Sequence, residues 1–389
     1  MTARTPDVAI VGAALADIGR VDDKSVFHVH FDAVSRALAD AGLRREDVDG
    51  FFSTGTGVLA PIEVAEYLGI RPTYYDSTGV GGSAWEVMLE HAVAGIRAGM
   101  IDVAVLSDGS TRRADLKKGL RRANLSFSTR GPTQWDVPFG HTLIAKYAMS
   151  ARRHMHEFGT TVDQLAEIAV SSRFNAGLNP DAYYQDPITI EDVNTAAMMA
   201  DPFTKLHCCI RSDGGGALVL TSAERARQLR EDPIWILGTG EFASHTTNSE
   251  WEDFTRSPAE VSGKLAFERS GLTVEDVDVC QFYDAFTIMV LMTFEALGFC
   301  GRGEGGPFVE QGRMRVGGAM PTNTDGGGLS SNQPGMRGIF LLIEAVQQLR
   351  REAGQRQVAG DPSVACVNGT GGWFSNASTA ILGTNATLG

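Results

Sequence analysis

Thiols, imidazoles and phenols are the side chains best suited to covalent or acid–base chemistry, and the 389-residue chain spreads them unevenly. Its five cysteines stand at 208, 209, 280, 300 and 366, so the first 207 residues hold no thiol. The number is odd and no C-x-x-C occurs, which argues against a disulfide framework and against a zinc ribbon within the chain. His207-Cys208-Cys209 are adjacent residues that do not easily converge on one ion, so a buried structural cluster is expected and no metal site is assigned. His154 and His156, two apart on a predicted helix, do not share a face. Tyr283 and Asp284 precede the apolar run Phe286, Ile288, Met289, Val290, Leu291. A phenol titrates near pH ~10, so Tyr283 serves as a base only if its neighbours lower that value or pass its proton on; otherwise it is a strand-end aromatic with a partnered hydroxyl. Asp284 beside it is a second catalytic candidate, the alternative being a cap for the helix that follows. Glycine strings surround these groups, among them Gly326, Gly327, Gly328, Gly371 and Gly372, and read both as tight turns and as points where backbone approaches a ligand. Gly12-Ala-Ala-Leu-Ala-Asp17 lacks the second glycine of a dinucleotide fingerprint, and there is no P-loop.

The elements that must hold these groups alternate. Val8 to Gly12 reads as a strand, Phe27, Phe31, Val34 and Leu38 as a helical face, Asp49 to Phe52 as a strand, Trp85 to Ile96 as a helix ending near Gly99, and Val103 to Leu106 as a buried strand. Ala41-Gly-Leu-Arg-Arg-Glu-Asp-Val-Asp49 recurs as Ser270-Gly-Leu-Thr-Val-Glu-Asp-Val-Asp278, and His91–Arg97 is echoed more weakly by Glu344–Arg350. The order is the same both times, so two duplicated halves are expected, each an α/β unit with a largely parallel sheet. The first half takes 1–110 and 201–231, closing on the strand Asp213–Leu220, and the second takes 232–389. Residues 111–200 differ in texture, with basic residues from Arg112 to Arg122, a predicted helix over Thr142–Phe158 and a Pro/Asn/Tyr-rich stretch, and read as an inserted loop domain.

Composition narrows the function. With 34 basic and 47 acidic residues the net charge is −13, spread along the chain without a basic block, which leaves nucleic acid without its phosphate-neutralising partner. No apolar run is long enough to span a bilayer, and Ala9-Ile10-Val11 is too short for a signal-peptide core, so a cytoplasmic protein is expected with no membrane partner.

The duplicated glycine-rich halves, the insertion, and the ordered stations Tyr283-Asp-Ala-Phe286, Asn323-Thr-Asp-Gly-Gly-Gly-Leu-Ser330 and Asn368-Gly-Thr-Gly-Gly372 resemble the thiolase superfamily. Closest in texture are the sterol-carrier-type thiolases and the lipid-transfer-protein aldolases of steroid side-chain degradation. The resemblance covers nearly the whole chain. It implies a five-layered α/β/α/β/α fold, a homodimer, and an acyl-CoA substrate, with coenzyme A entering as part of that substrate and no covalently bound cofactor. For the aldolases it also implies a separate small partner combining an OB-fold and a zinc ribbon.

Against that pattern, the three chemical side chains of a thiolase are replaced. Its nucleophilic Cys belongs at a helix N-terminus, where the dipole lowers a thiol pKa; the matching turn is Ser77-Thr-Gly-Val-Gly-Gly-Ser-Ala84, with the nucleophile's place near Gly82 and Ser83 beside it. His-Asp-Cys-Phe has become Tyr283-Asp284-Ala285-Phe286, and the His of the later glycine loop falls on Gln333, beside Asn332. Neither Asn332 nor Gln333 can be a base, though both can bond substrate. Cys366 lies before the place of the second catalytic Cys and is expected to be inert. Acyl transfer needs a nucleophile and bases, whereas retro-aldol cleavage needs a base for a β-hydroxyl and an oxyanion hole for the departing enolate. The resembling aldolases carry Tyr at the station of Tyr283, which makes it the candidate acid/base, with backbone of the glycine loops as oxyanion hole. They carry a second Tyr in the later loop, and Gly328–Gly335 here has none. His141 falls where the family places residues near the acyl chain, the alternative being a structural histidine. The Arg112–Arg122 cluster either meets coenzyme A phosphates or is a solvated face. A thiolase-type acyltransferase and a non-catalytic acyl-CoA-binding scaffold stay open as alternatives.

Overall fold

In the computed structural model, which describes residues 6–120, 132–136, 138 and 142–388, several of the long helices start on a short polar side chain. Ser25 accepts from the His28 amide and opens α1 (Val26–Asp40). Its buried stripe is Val29, His30, Ala33, Val34, Ala37 and Leu38, so the expected face was turned: Phe31 is exposed and Phe27 packs at the edge on Tyr67. Helices α2 (Ile62–Leu68), α3 (Ala84–Arg97) and α4 (Arg112–Lys117) follow. Then come α5 (Leu143–Phe158), capped by Thr142, α6 (Val162–Gly177), capped by Thr161, and α7 (Ile190–Thr195). The second half adds α8 (Ala223–Leu229), α9 (Ala259–Ser270), α10 (Thr287–Leu297), α11 (Gly305–Val309) and α12 (Gly338–Leu349).

The strands of the first half are β1 (Val8–Leu15), β2 (Gly50–Phe52), β3 (Tyr74–Asp76) and β4 (Val103–Ser110). After a small hairpin of β5 (Met198–Ala200) and β6 (Phe203–Thr204) comes β7 (Gly214–Ser222). The second half supplies β8 (Ile234–Ala243), β9 (Val279–Phe282), β10 (Val364–Gly371) and β11 (Asn376–Gly383). Hydrogen bonding orders them β3-β2-β4-β7-β1-β8-β11-β10-β9. The two halves' sheets meet at β1 and β8 through only Ala9–Trp235 and Ile10–Ile234. The expectation of a largely parallel sheet is corrected. Parallel pairs are confined to β2–β3, β2–β4 and β9–β10, because crossover helices serve only those strands; β7 returns after the long excursion and β11 after a hairpin, both antiparallel to their neighbours.

The repeat is visible in three dimensions. Gly42 and Gly271 are both left-handed, with φ of 66° and 73°, and each leads into a short 3-10 turn. Asp49 then accepts the amides of Asp102 and Val103, and Asp278 those of Ser363 and Val364. The weaker echo is α3 and α12. They touch each other and strands of both halves, forming the middle helical layer between the sheets, while α1 and α9 cover the outer faces. This is the five-layered thiolase fold, and α3, α12 and the ends of β9 and β10 converge on one place.

Candidate active site

Tyr283 leaves the end of β9 with its amide bonded to the Asn368 carbonyl of β10, which fixes where its ring points. The ring lies over Gly82, in the turn that opens α3. A Cβ added at Gly82 would fall well under 3.0 Å from Tyr283 Cε2 and Cζ and from the Thr370 carbonyl oxygen. The space a side chain would need at the nucleophile's place is therefore occupied by the tyrosine. The Tyr283 hydroxyl accepts a 3.0 Å hydrogen bond from Gln333 Nε2, and burial pushes its pKa above the ordinary phenol range. It is a protonated hydroxyl in the resting site.

The other glycines divide. Gly81, at φ 84°, brings the α3 turn against the backbone of Gly371 and Gly372, and the Gly372 carbonyl accepts from the Tyr147 hydroxyl of α5 at 2.9 Å. Ser83 is fully buried and donates to Asn376 Oδ1 of β11, whose Nδ2 holds the Val80 carbonyl; its hydroxyl ties the turn down and faces no base. Gly327 must be glycine because a Cβ there would overlap Asp284 Oδ2. Gly326 packs on Ala176 of α6, where a side chain would overlap the helix.

Asp284 corrects the capping expectation: the residue at the head of α10 is Phe286, with no side-chain cap. The Asp284 carboxylate instead accepts the amides of Gly328 (2.8 Å) and Leu329 (3.3 Å) and lies 3.5 Å from Arg337 Nε, holding the wide π turn Gly327–Ser331. Burial raises its pKa to about 6 against the pull of Arg337. Arg337, fully buried, also pairs with Asp325 at 2.6 Å and with Asn332 Oδ1 at 2.8 Å. Asn332 is thus turned away from Tyr283, into the wall of a separate cavity of about 650 Å³ that Asp325 and Glu344 also line. Of the two neighbouring amides only Gln333 reaches the phenol. His141 lies outside the described residues.

Of the basic cluster, Arg113 pairs with Asp213 and Asp22, and Lys117 and Lys118 bond Asp22; Arg121 and Arg122 lie outside the described residues. Cys366 is buried in β10 beside Cys280 of β9, with its thiol pushed up by burial. The Cys209 thiol is pushed up to about 12 by burial. Sequence reasoning missed three residues, Glu86, Tyr147 and Arg337. Glu86 carries a readable signal, as the single charge in the apolar run Ala84-Trp-Glu-Val-Met-Leu89. It is fully buried one turn along α3 from Gly82, and neither carboxyl oxygen has a hydrogen-bond partner.

Residues 240–384 match the family model described as thiolase C-terminal domain-like. The chain is 34% identical over 353 residues to a steroid side-chain-cleaving aldolase of Thermomonospora curvata, covering 88% of this chain and 90% of that protein. It is 36% identical over 374 residues to the 17-hydroxy-3-oxo-4-pregnene-20-carboxyl-CoA lyase of Mycobacterium tuberculosis, covering 93% and 96%. Among solved structures, the Ltp2-ChsH2(DUF35) aldolase superposes with a TM-score of 0.89 at 32% identity over 99% of both chains.

Proposed function

This chain belongs to the thiolase superfamily, on the side of its steroid side-chain aldolases, and we propose that it is a carbon–carbon lyase cleaving a 3-hydroxyacyl-CoA by retro-aldol chemistry. The observation that carries this reading is the Tyr283 ring standing over Gly82. Where a thiolase needs room for a thiolate, this site presents a phenol. The substrate is a branched or steroid-derived acyl-CoA with a tertiary or secondary alcohol at the β-carbon, matching the names of the relatives.

In the step itself the O–H bond of the β-hydroxyl breaks, its oxygen becomes a ketone or aldehyde, and the Cα–Cβ bond breaks. The electron pair passes to the thioester enolate, which is then protonated to the shortened acyl-CoA. Tyr283 takes the hydroxyl proton and gives its own to the enolate carbon, so one proton enters the phenol as one leaves it, and Gln333 orients it. A phenol held above its ordinary pKa does this as a relay and not as a standing phenolate. The Gly81–Ser83 and Gly371–Gly372 turns, held together by Ser83–Asn376 and Tyr147–Gly372, are the backbone suited to receive the enolate oxygen. Asp284 acts one step back, by holding the π turn that carries Gln333 into place.

The same reading gives the chain a separate DUF35-type partner, of the kind named in the Ltp2-ChsH2(DUF35) aldolase, and we propose a homodimer besides. An exposed edge at β3, with Tyr75 and the neighbouring Val58, Leu59 and Ile62 open to solvent, supports the dimer. We also propose a cytoplasmic location, in which the five free cysteines would stay reduced.

The test is mass spectrometry of the coenzyme A products after incubation, with the candidate partner, with a branched 3-hydroxyacyl-CoA. Shortened acyl-CoA and a ketone are expected, with the rate falling about 10²–10⁴-fold in Tyr283→Phe. No product from the wild type, or an equal rate in the variant, overturns the proposal; binding without turnover would leave a scaffold.

A further inference from the structure

A buried carboxyl with two unbonded oxygens is an oddity in a folded protein, since an unpaired acidic group taken out of water is strongly disfavoured. Glu86 has a slot made for it by missing side chains on two facing elements. A Cβ at Gly338, the first residue of α12, would stand 2.5 Å from Glu86 Oε2 and 2.7 Å from the Gly82 carbonyl oxygen. A Cβ at Gly369, in the middle of β10, would overlap the same Oε2 and lie 2.8 Å from Ser83 Cα. Two glycines of the second half thus leave room for one acid of the first, directly under the turn that carries Gly82.

The titratable and charged groups on the surrounding elements leave it unpaired. Arg337, at the head of α12, is bonded to Asp325 and Asn332. Glu90, one turn along α3, pairs with Arg269. Cys366 of β10 is a buried, protonated thiol, and Tyr283 beyond β9 is a protonated phenol. Burial raises the Glu86 carboxyl to about 8, so it carries a proton at neutral pH. A neutral group there leaves the positive end of α3 free to act on an oxyanion at the Gly82 turn. An ionised one cancels that field and repels negative charge on Tyr283, raising the phenol further.

We propose that Glu86 is a positioning residue that controls the charge beneath the site: protonated, it lets negative charge develop at the Gly82 turn and on Tyr283, and ionised, it shuts that charge out. The proposal rests on the retro-aldol reading for its chemistry, but not for its test.

The experiment is the pH dependence of kcat from pH 6 to 9.5 for the wild type, Glu86→Gln and Gly369→Ala, each shown to be folded at every pH by circular dichroism. Loss of the protonated form of a group with a pKa of about 8 predicts that the wild-type rate falls about tenfold between pH 7 and pH 9. In Glu86→Gln this alkaline limb is absent and the ratio of the two rates stays within about twofold. Gly369→Ala, which displaces the carboxyl, moves the limb. The same limb in wild type and Glu86→Gln overturns the proposal. If the wild type cleaves no 3-hydroxyacyl-CoA, the lyase reading falls, and the dissociation constant of acetyl-CoA over the same pH range replaces the rate. There a limb present in the wild type and missing in Glu86→Gln sustains the role of Glu86, and identical profiles overturn it.

Discussion

Adding one methyl group at Gly82 tests whether the tyrosine has taken the nucleophile's space. In Gly82→Ala the new Cβ lies well under 3.0 Å from two atoms of the Tyr283 ring and from the Thr370 carbonyl oxygen, closer than side-chain carbons come to such atoms. The carbonyl belongs to β10, where Thr370 is paired with Ala377 of β11, so the ring is the part that yields, by about 1 Å to regain ordinary contact. Overpacking of this kind costs about 1–3 kcal/mol. A displacement of about 1 Å at a reacting group can lower the rate about 10²-fold, and here it would also stretch the Tyr283–Gln333 bond of 3.0 Å. Urea unfolding gives the first quantity and coenzyme A product formation the second. Gly79→Ala is the control in the same turn, because its Cβ would meet nothing nearer than 3.8 Å, and both readouts should stay at wild-type values. Tyr283→Ala should relieve part of the Gly82→Ala penalty, the Thr370 contact remaining, so the double variant is less destabilised than the sum of the singles. A Gly82→Ala protein with wild-type stability and rate would refute the packing argument, and with it the account of why no cysteine stands there.

Arg337→Met leaves Asp284 and Asp325 buried without their shared cation, and about 3–5 kcal/mol of stability should be lost in urea unfolding at pH 7. That loss should shrink as pH falls toward about 6 and level off below it, because without Arg337 the Asp284 carboxyl takes up its proton at a higher pH than it does beside the cation. Glu86→Gln should be more stable than the wild type at pH 8.5. The folded pKa of about 8 lies above the 4.5 of an ordinary glutamate, so the wild-type penalty is absent below pH 4.5, grows as pH rises, and is complete above pH 8. Across that window the difference approaches about 5 kcal/mol as an upper figure, and a constant difference from pH 4 to 9 would contradict it.

Strand and helix order, the duplication and the stations around Tyr283 were legible because each is written in a short stretch of chain. Gly42 and Gly271, with Asp49 and Asp278 after them, are local signals and do the same work in both halves. What the sequence hid depends on partners far away. Asp284 looks like a helix cap from its neighbours, and only the return of Gly328, 44 residues later, shows what it holds. Asn332 and Gln333 are equivalent on paper, yet the end of the π turn sends one to Arg337 and the other to Tyr283. Glu86 could be noticed as a lone charge, but its slot is made by two absent side chains on α12 and β10, and an absence has no local pattern. The antiparallel return of β7 and β11 was likewise invisible to an argument from alternation.

The tie between Ser83 and Asn376 spans 293 residues. At about 5–20 residues per second, synthesis of that stretch takes roughly 15–60 s. For most of that interval the turn that opens α3 has been made while β10 and β11, which cover it, have not. A cell making this protein therefore always holds nascent chains with the middle-layer face of the first half uncovered. None of those chains carries the site, because it comes into being only with the last hairpin.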